Sequence, residues 1–351
     1  MNNLNWIDLS VLIGYGIVLI GMGAYFMRKS KTADGFMVAD RSLPAWVVGL
    51  AIMGAYTSSI SYIATPGKSY DTDWHPWLFA LAIPPVTWAV NRWVVPYYRR
   101  LRLISVYGFL ETRLGNWARF YGSLSFLLYM VGRAAVILYL SAIVMQSFVG
   151  FRLEFLILII GLVTIIYTLL GGLEAVVWAD VLQSIIMIGG ALFCVGYLTY
   201  YIAPGPDSLL SAAWEAGKFN LGRLDWNLDS RTVLVMIIYG VTENLRNLIA
   251  DQNYVQKYAA ATTEKEAKRS LWVSAAIFIP LNGLFLYIGV ALFAFYALGG
   301  HPLDPSITKG DQVFPYFIAT QIPIGIRGLT VSYTHLRAHE TSLHLVCRLL
   351  L

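Results

Sequence analysis

The chain has 351 residues, of which 58% are hydrophobic and only 13% charged, with a formal net charge of +5. Soluble domains carry about 25% charged residues, so this composition cannot build a water-facing surface, and a mean hydropathy of +0.62 makes lipid the expected solvent. The basic balance is that of a polytopic protein whose cytoplasmic Lys and Arg meet anionic lipid, so membrane lipid, not nucleic acid, is the expected partner.

Apolar stretches of about 20 residues cross a bilayer core of roughly 30 Å as a helix. They recur at 6–27, 45–66, 74–95, 123–149, 154–170, 176–200, 232–250 and 271–298, with a ninth beginning near 316. The first is too long for a signal-peptide core, contains Asp8 and has no basic residue before it, so it is expected to stay as a span. Aromatic residues at span ends, among them Trp6, Trp46, Trp74, Trp93, Tyr200 and Tyr201, suit the headgroup layer. The segments after spans one, three and seven hold thirteen Lys and Arg, from Arg28 to Arg41, Arg99 to Arg119 and Lys257 to Arg269, against six in the segments on the other side. The positive-inside rule then puts the N-terminus outside, in a bacterial inner membrane crossed several times. Cys194 and Cys347 have no paired spacing, so neither a disulfide framework nor a cysteine-rich metal site is indicated.

Polar residues interrupt several spans. The second contains Thr57, Ser58, Ser59, Ser61 and Thr65 ahead of Pro66 and Gly67, so its helix is expected to loosen where backbone faces a cavity. Arg133 sits in the middle of FLLYMVGRAAVILYL (126–140) with no acidic residue near it in sequence. Burying that charge costs at least about 3 kcal/mol, so it is expected to anchor an anionic ligand or to pair with a carboxylate on another helix. The seventh span carries Glu243 and Arg246, three apart and able to pair on one helix face, with Asn244 and Asn247 as candidates for lining a pathway. Asp180 either couples to cations or caps its helix. There is no HExxH, Walker loop or GxSxG, and dispersed polar groups suit a pathway better than an active site, so the chain is not expected to be an enzyme.

The stretch YTLLGGLEAVVWADVLQ (167–183) closely resembles the signature of the sodium:solute symporter family, which includes the sodium/glucose cotransporters, and DQNYVQKY (251–258) resembles the family's segment after its seventh span. The resemblance runs from about residue 5 to 330. It implies an all-α, polytopic LeuT-type fold: two inverted five-helix repeats, with substrate and sodium bound midway at broken helices and worked by alternating access. In this chain the bundle would be incomplete, with about eight spans and the start of a ninth. Sodium, the coupling ion, would be held partly by backbone carbonyls at positions matching Gly54 and Thr57, and no other cofactor is implied. Within the family, TSSISYIATPGKSYDTDW (57–74) and GRAAVILYL (132–140) look most like the sialic-acid transporters, in which first-core-helix hydroxyls and one arginine hold the substrate carboxylate. The matching residues are Ser58, Ser61 and Arg133, with Ser59 in the same hydroxyl run. A glutamine that helps hold the sugar in that branch is matched by Ala80, and the aromatic gate of the galactose branch by Asn247.

These features predict sodium-coupled symport of a small organic solute, a carboxylated sugar such as a sialic acid. The alternatives are a neutral sugar or monocarboxylate symporter, or the membrane sensor part of a signalling protein. Past residue 330 the sequence becomes VSYTHLRAHETSLHLVCRLLL, whose composition is unlike the rest. The reading takes 1–330 as an incomplete symporter domain and 331–351 as a foreign tail, and expects these 351 residues alone not to transport.

Overall fold

A computed structural model describes residues 6–28, 32–57, 59–101, 106–149, 151–202, 208–226, 232–305 and 307–326. The 331–351 segment lies outside the described residues. In chain order the principal helices are α1 (Trp6–Met27), α2 (Ala45–Tyr56), α3 (Ser59–Asp71), α4 (Trp77–Leu101, a succession of α and π turns), α5 (Asn116–Val149), α6 (Leu153–Ile202), α7 (Val233–Ile249), α8 (Gln252–Ala259), α9 (Glu264–Phe293) and α10 (Gly310–Gln321). Among the described residues the β pairing is confined to an isolated parallel bridge between Leu43 and Ala261.

Five stretches, in α1, α4, α5, the Leu169–Ile202 part of α6 and Glu264–Leu298, are long and apolar enough to cross a membrane alone. Two more do so as bent pairs, α2 with α3 and α7 with α8, and Leu153–Val163 is a shorter apolar helix. Each of the eight expected spans has a counterpart here. Large apolar side chains such as Ile13 and Ile17 on α1, Leu128 and Val136 on α5 and Ile185 on α6 are exposed, as lipid-facing positions should be.

The fifth and sixth expected spans meet at Gly172 inside α6, where φ is 59° and ψ −158°. That conformation is open essentially to glycine alone. A Cβ there would also lie 2.8 Å from both Cδ2 and the carbonyl oxygen of Phe36. Gly172→Ala is expected to destabilise the fold by about 1–3 kcal/mol, seen as a lower unfolding temperature of the detergent-solubilised protein. An unchanged temperature would refute the steric argument.

The two broken spans place the centre of the molecule. After Tyr56 the amide of Thr57 bonds to the carbonyls of both Met53 (3.2 Å) and Gly54 (3.0 Å). The turn tightens and Thr57 leaves the helix at φ −107°, ψ 88°, so the axes on either side differ by 54°. The break therefore falls at the start of the hydroxyl run, and Pro66 and Gly67 stay helical. Those two are a packing patch: a Cβ on Gly289 of α9 would lie 2.2 Å from the Pro66 carbonyl oxygen, and one on Gly67 would lie 2.6 Å from Asp311 Cα. In the second broken span, the amides of Ala250 and Asp251 both return to the Arg246 carbonyl. The Asp251 carboxylate then accepts from the amide of Asn253 at 2.9 Å, starting α8 after a bend of 55°.

Among the described residues the core consists of two large apolar clusters and a small third one between α5 and α6. Leu50, Tyr56 and Ile186 pack against both large ones. Position 316 does not begin a ninth span. It lies inside α10, whose 12 residues extend about 18 Å at 1.5 Å per residue, too short to cross. The α10 N-terminus is fastened to the end of α3 by the Gly310 amide donating to Asp71 (3.1 Å). The chain then returns to α1, where the Gly325 amide donates to Asp8 (2.8 Å) and so partners a carboxylate that is fully buried.

Candidate functional site

A cavity of about 320 Å³ opens between the two breaks, bordered by α2, α3, α4, α5, α7, α8 and α9. Its chemistry comes from three polar groups of residues. From α3, Ser61, Thr65 and Lys68 follow one another at i, i+4 and i+7, so they form a single polar stripe. From α5 come Tyr129 and Arg133, again four apart, and from α7 come Glu243, Arg246 and Asn247. Thr57, Tyr56, Tyr239, Tyr254 and Asn282 complete the polar lining, with Phe79, Phe278 and Phe285 as apolar wall. Three cationic side chains thus share the cavity with one carboxylate.

Arg133 is only partly buried, and its charge acts on Glu243 and Asp251 of the second broken span. It therefore borders the cavity and also has carboxylates of another helix nearby. Arg246 is fixed from several directions. Its Nε donates to Glu243 Oε2 (2.9 Å) and its Nη2 to Asn247 Oδ1 (2.8 Å), while its Nη1 lies 3.5 Å from Asp251.

The cavity thus gathers Thr57, Ser61, Arg133 and Asn247 from distant parts of the sequence. Gly54 is buried one turn before Thr57. Ser58 and the side chain of Ser59 lie outside the described residues. Asn244 does not border this cavity: it is fully buried and its amide donates to the carbonyls of Gly240 (2.6 Å) and Phe79 (3.2 Å), joining α7 to α4. Helical spacing made it a companion of Asn247, but a backbone acceptor on the neighbouring helix claims its amide.

Asp180 is not a helix cap either. It lies eight residues beyond the Gly172 break, fully buried, and its Oδ2 is 2.8 Å from the ammonium of Lys257 on α8, itself only 1% exposed. Lys257 had counted among cytoplasmic loop charges in the sequence. The burial of DQNYVQKY as a helix removes it from that count and leaves the asymmetry of the remaining loops intact.

Several lining residues escaped the sequence reading. Tyr129 had a signal, its spacing of four from Arg133. Asn282 had another, a polar residue two positions after Pro280 in an apolar span. Ala80 is fully buried and does not border the cavity.

A profile of the Sodium:solute symporter family matches residues 36–335. The Sodium/sialic acid symporter SiaT of Proteus mirabilis (strain HI4320) is 32% identical over 336 residues, covering 95% of this chain and 67% of that protein. The Sodium/sialic acid symporter NanT of Aliivibrio fischeri (strain ATCC 700601 / ES114) is 31% identical over 333 residues, covering 94% of this chain and 65% of that protein. A solved structure of a Na+-coupled sialic acid symporter, in a substrate-bound outward-open state, matches with a TM-score of 0.90 and 31% identity over 97% of this chain and 72% of that one. The chain spans about two thirds of the length of these relatives.

Proposed function

Because the chain belongs to the sodium:solute symporter family and has its all-α, multi-pass LeuT-type fold, we propose that it serves sodium-coupled uptake of a small carboxylated sugar of the sialic-acid class. The observation that carries this reading is the cavity itself. It lies between two broken helices and combines an arginine, a stripe of hydroxyls and an excess of positive charge. A guanidinium meets a carboxylate through two parallel hydrogen bonds, which water cannot easily replace in a cavity walled by phenylalanines. Arg133 is the anchor for the substrate carboxylate, assisted by Ser61 and by Ser58 and Ser59 of the same run. Asn247 serves the polar part of the ligand.

The coupling sodium fits the first break. Its carbonyls no longer follow the helical hydrogen-bond ladder, which is how LeuT-type sites expose oxygen to a hard cation. Among the described residues the Gly54 carbonyl accepts from the Thr57 amide, and a carbonyl oxygen has two lone pairs. Among the described residues the Thr57 hydroxyl meets the weak Met53 sulfur, at 4.0 Å. Sodium and anion would then bind on adjacent turns of one interrupted span, so each favours the other's site. The N-terminus faces outward in this reading, as the basic residues between α4 and α5 and at the start of α9 require.

The test is uptake of labelled sialic acid by proteoliposomes containing a full-length form of the protein, driven by an inward sodium gradient, with glucose and a monocarboxylate as competitors. Uptake should collapse when sodium is replaced by potassium, and neither competitor should block it. Sodium-driven uptake that glucose or the monocarboxylate abolishes would discard the sialic-acid assignment and keep the coupling.

A further inference from the structure

Glu243 stands out because it is a carboxylate lining a cavity otherwise suited to anions. An unscreened carboxylate there would repel the ligand that Arg133 attracts. Arg246 prevents this by bonding both oxygens, Nε to Oε2 at 2.9 Å and Nη2 to Oε1 at 2.5 Å. Arg246 is held in turn by Asn247 Oδ1 and by Asp251, and its guanidinium lies 5.9 Å from the Tyr129 ring. The carboxylate is therefore fixed in direction, yet its side chain is still 29% exposed. An ionised carboxylate has about four lone-pair positions. The clamp occupies one on each oxygen and leaves one on each.

We propose that Glu243 is a specificity-determining residue which selects hydroxylated acids over plain carboxylates; this rests on the reading of the cavity as an organic-acid site. The clamp takes the inner lone pair of each oxygen, and the outer lone pair on each fixed oxygen, one along each edge of the carboxylate, accepts a hydrogen bond from a hydroxyl of a polyhydroxylated ligand. A ligand without hydroxyls leaves them unanswered. Glu243 also occupies Arg246, so that this second guanidinium is not offered to carboxylates at large. A site built to bond hydroxyls rejects an analogue lacking them far more strongly than an apolar pocket rejects an extra methylene.

The experiment measures equilibrium binding of sialic acid and of propionate to the protein in nanodiscs, for wild type, Glu243→Gln and the double variant Glu243→Gln with Arg246→Met. Glu243→Gln is expected to weaken sialic acid about tenfold or more while strengthening propionate roughly three- to tenfold, because Arg246 is released. In the double variant the propionate gain should vanish and the sialic acid loss persist. A purely structural role would weaken both ligands together, and that result, or no change in either, overturns the proposal. Should the wild type bind no sialic acid, the assignment of the substrate fails while the propionate comparison still decides the role of Glu243.

Discussion

Arg133→Ala is expected to weaken binding of an acidic sugar at least about 100-fold while leaving its neutral analogue, such as the amide or methyl ester, unaffected. Removing one member of a desolvated charge pair costs about 2–5 kcal/mol, and 100-fold corresponds to about 2.7 kcal/mol. The cavity keeps other ties when that charge is removed: Arg246 clamps Glu243, and Tyr254 donates to the Ala55 carbonyl at 3.0 Å. Arg133→Lys should recover only part of the loss, since an ammonium keeps the charge but not the planar fork. The opposing reading makes Arg133 a counter-charge for Glu243 and Asp251, on which its charge acts. In that case both ligands weaken equally and the unfolding temperature falls with them. Isothermal titration of the two ligands, with a melting curve of each variant, separates the outcomes.

What the sequence could disclose follows from how lipid constrains a chain. With no water to satisfy backbone groups, an apolar run of sufficient length must be a helix, so the spans were legible, and Arg133 was conspicuous because so little in an apolar span offsets a charge. The breaks were less legible. The first begins at Thr57, where neither proline nor glycine marks it, while Pro66 and Gly67, which look like a break, serve close contact with Gly289 and Asp311. The second was hidden by polarity. DQNYVQKY reads as a loop by hydropathy, yet Gln252 through Tyr258 are buried in α8. Their polar atoms find partners on other elements, Gln256 on the Met37 carbonyl and Lys257 on the Ala51 carbonyl. Such satisfaction is a property of the assembled bundle, and no local pattern announces it. The same holds for Asn244, whose acceptor at Phe79 is 165 residues away.

Lys257→Met is expected to be among the most destabilising single changes in the chain. The Lys257 ammonium lies 2.8 Å from Asp180 and donates to the Ala51 carbonyl at 3.1 Å, so one side chain ties α8, α6 and α2 together behind the cavity. Both groups have left water, so removing one takes a counter-charge from the other, at a cost of about 3–5 kcal/mol. Asp180→Asn should cost a similar amount, and the double variant, with neither charge, should recover much of the loss, because well-packed neutral residues often replace a buried pair without penalty. Unfolding temperatures of the three variants in detergent test this, and strictly additive losses would show that the two charges do not depend on each other. The same set addresses the reading of Asp180 as a coupling residue. If its carboxylate serves sodium, the double variant will fold yet lose sodium-dependent ligand binding, whereas a pair that only braces the bundle will leave that dependence in place. Because Ala51 lies one turn before Gly54 on α2, a brace here holds the carbonyls of the first break in position, so stability and sodium affinity should fall together in Lys257→Met and recover together in the double variant, and they part company there only if Asp180 itself serves sodium.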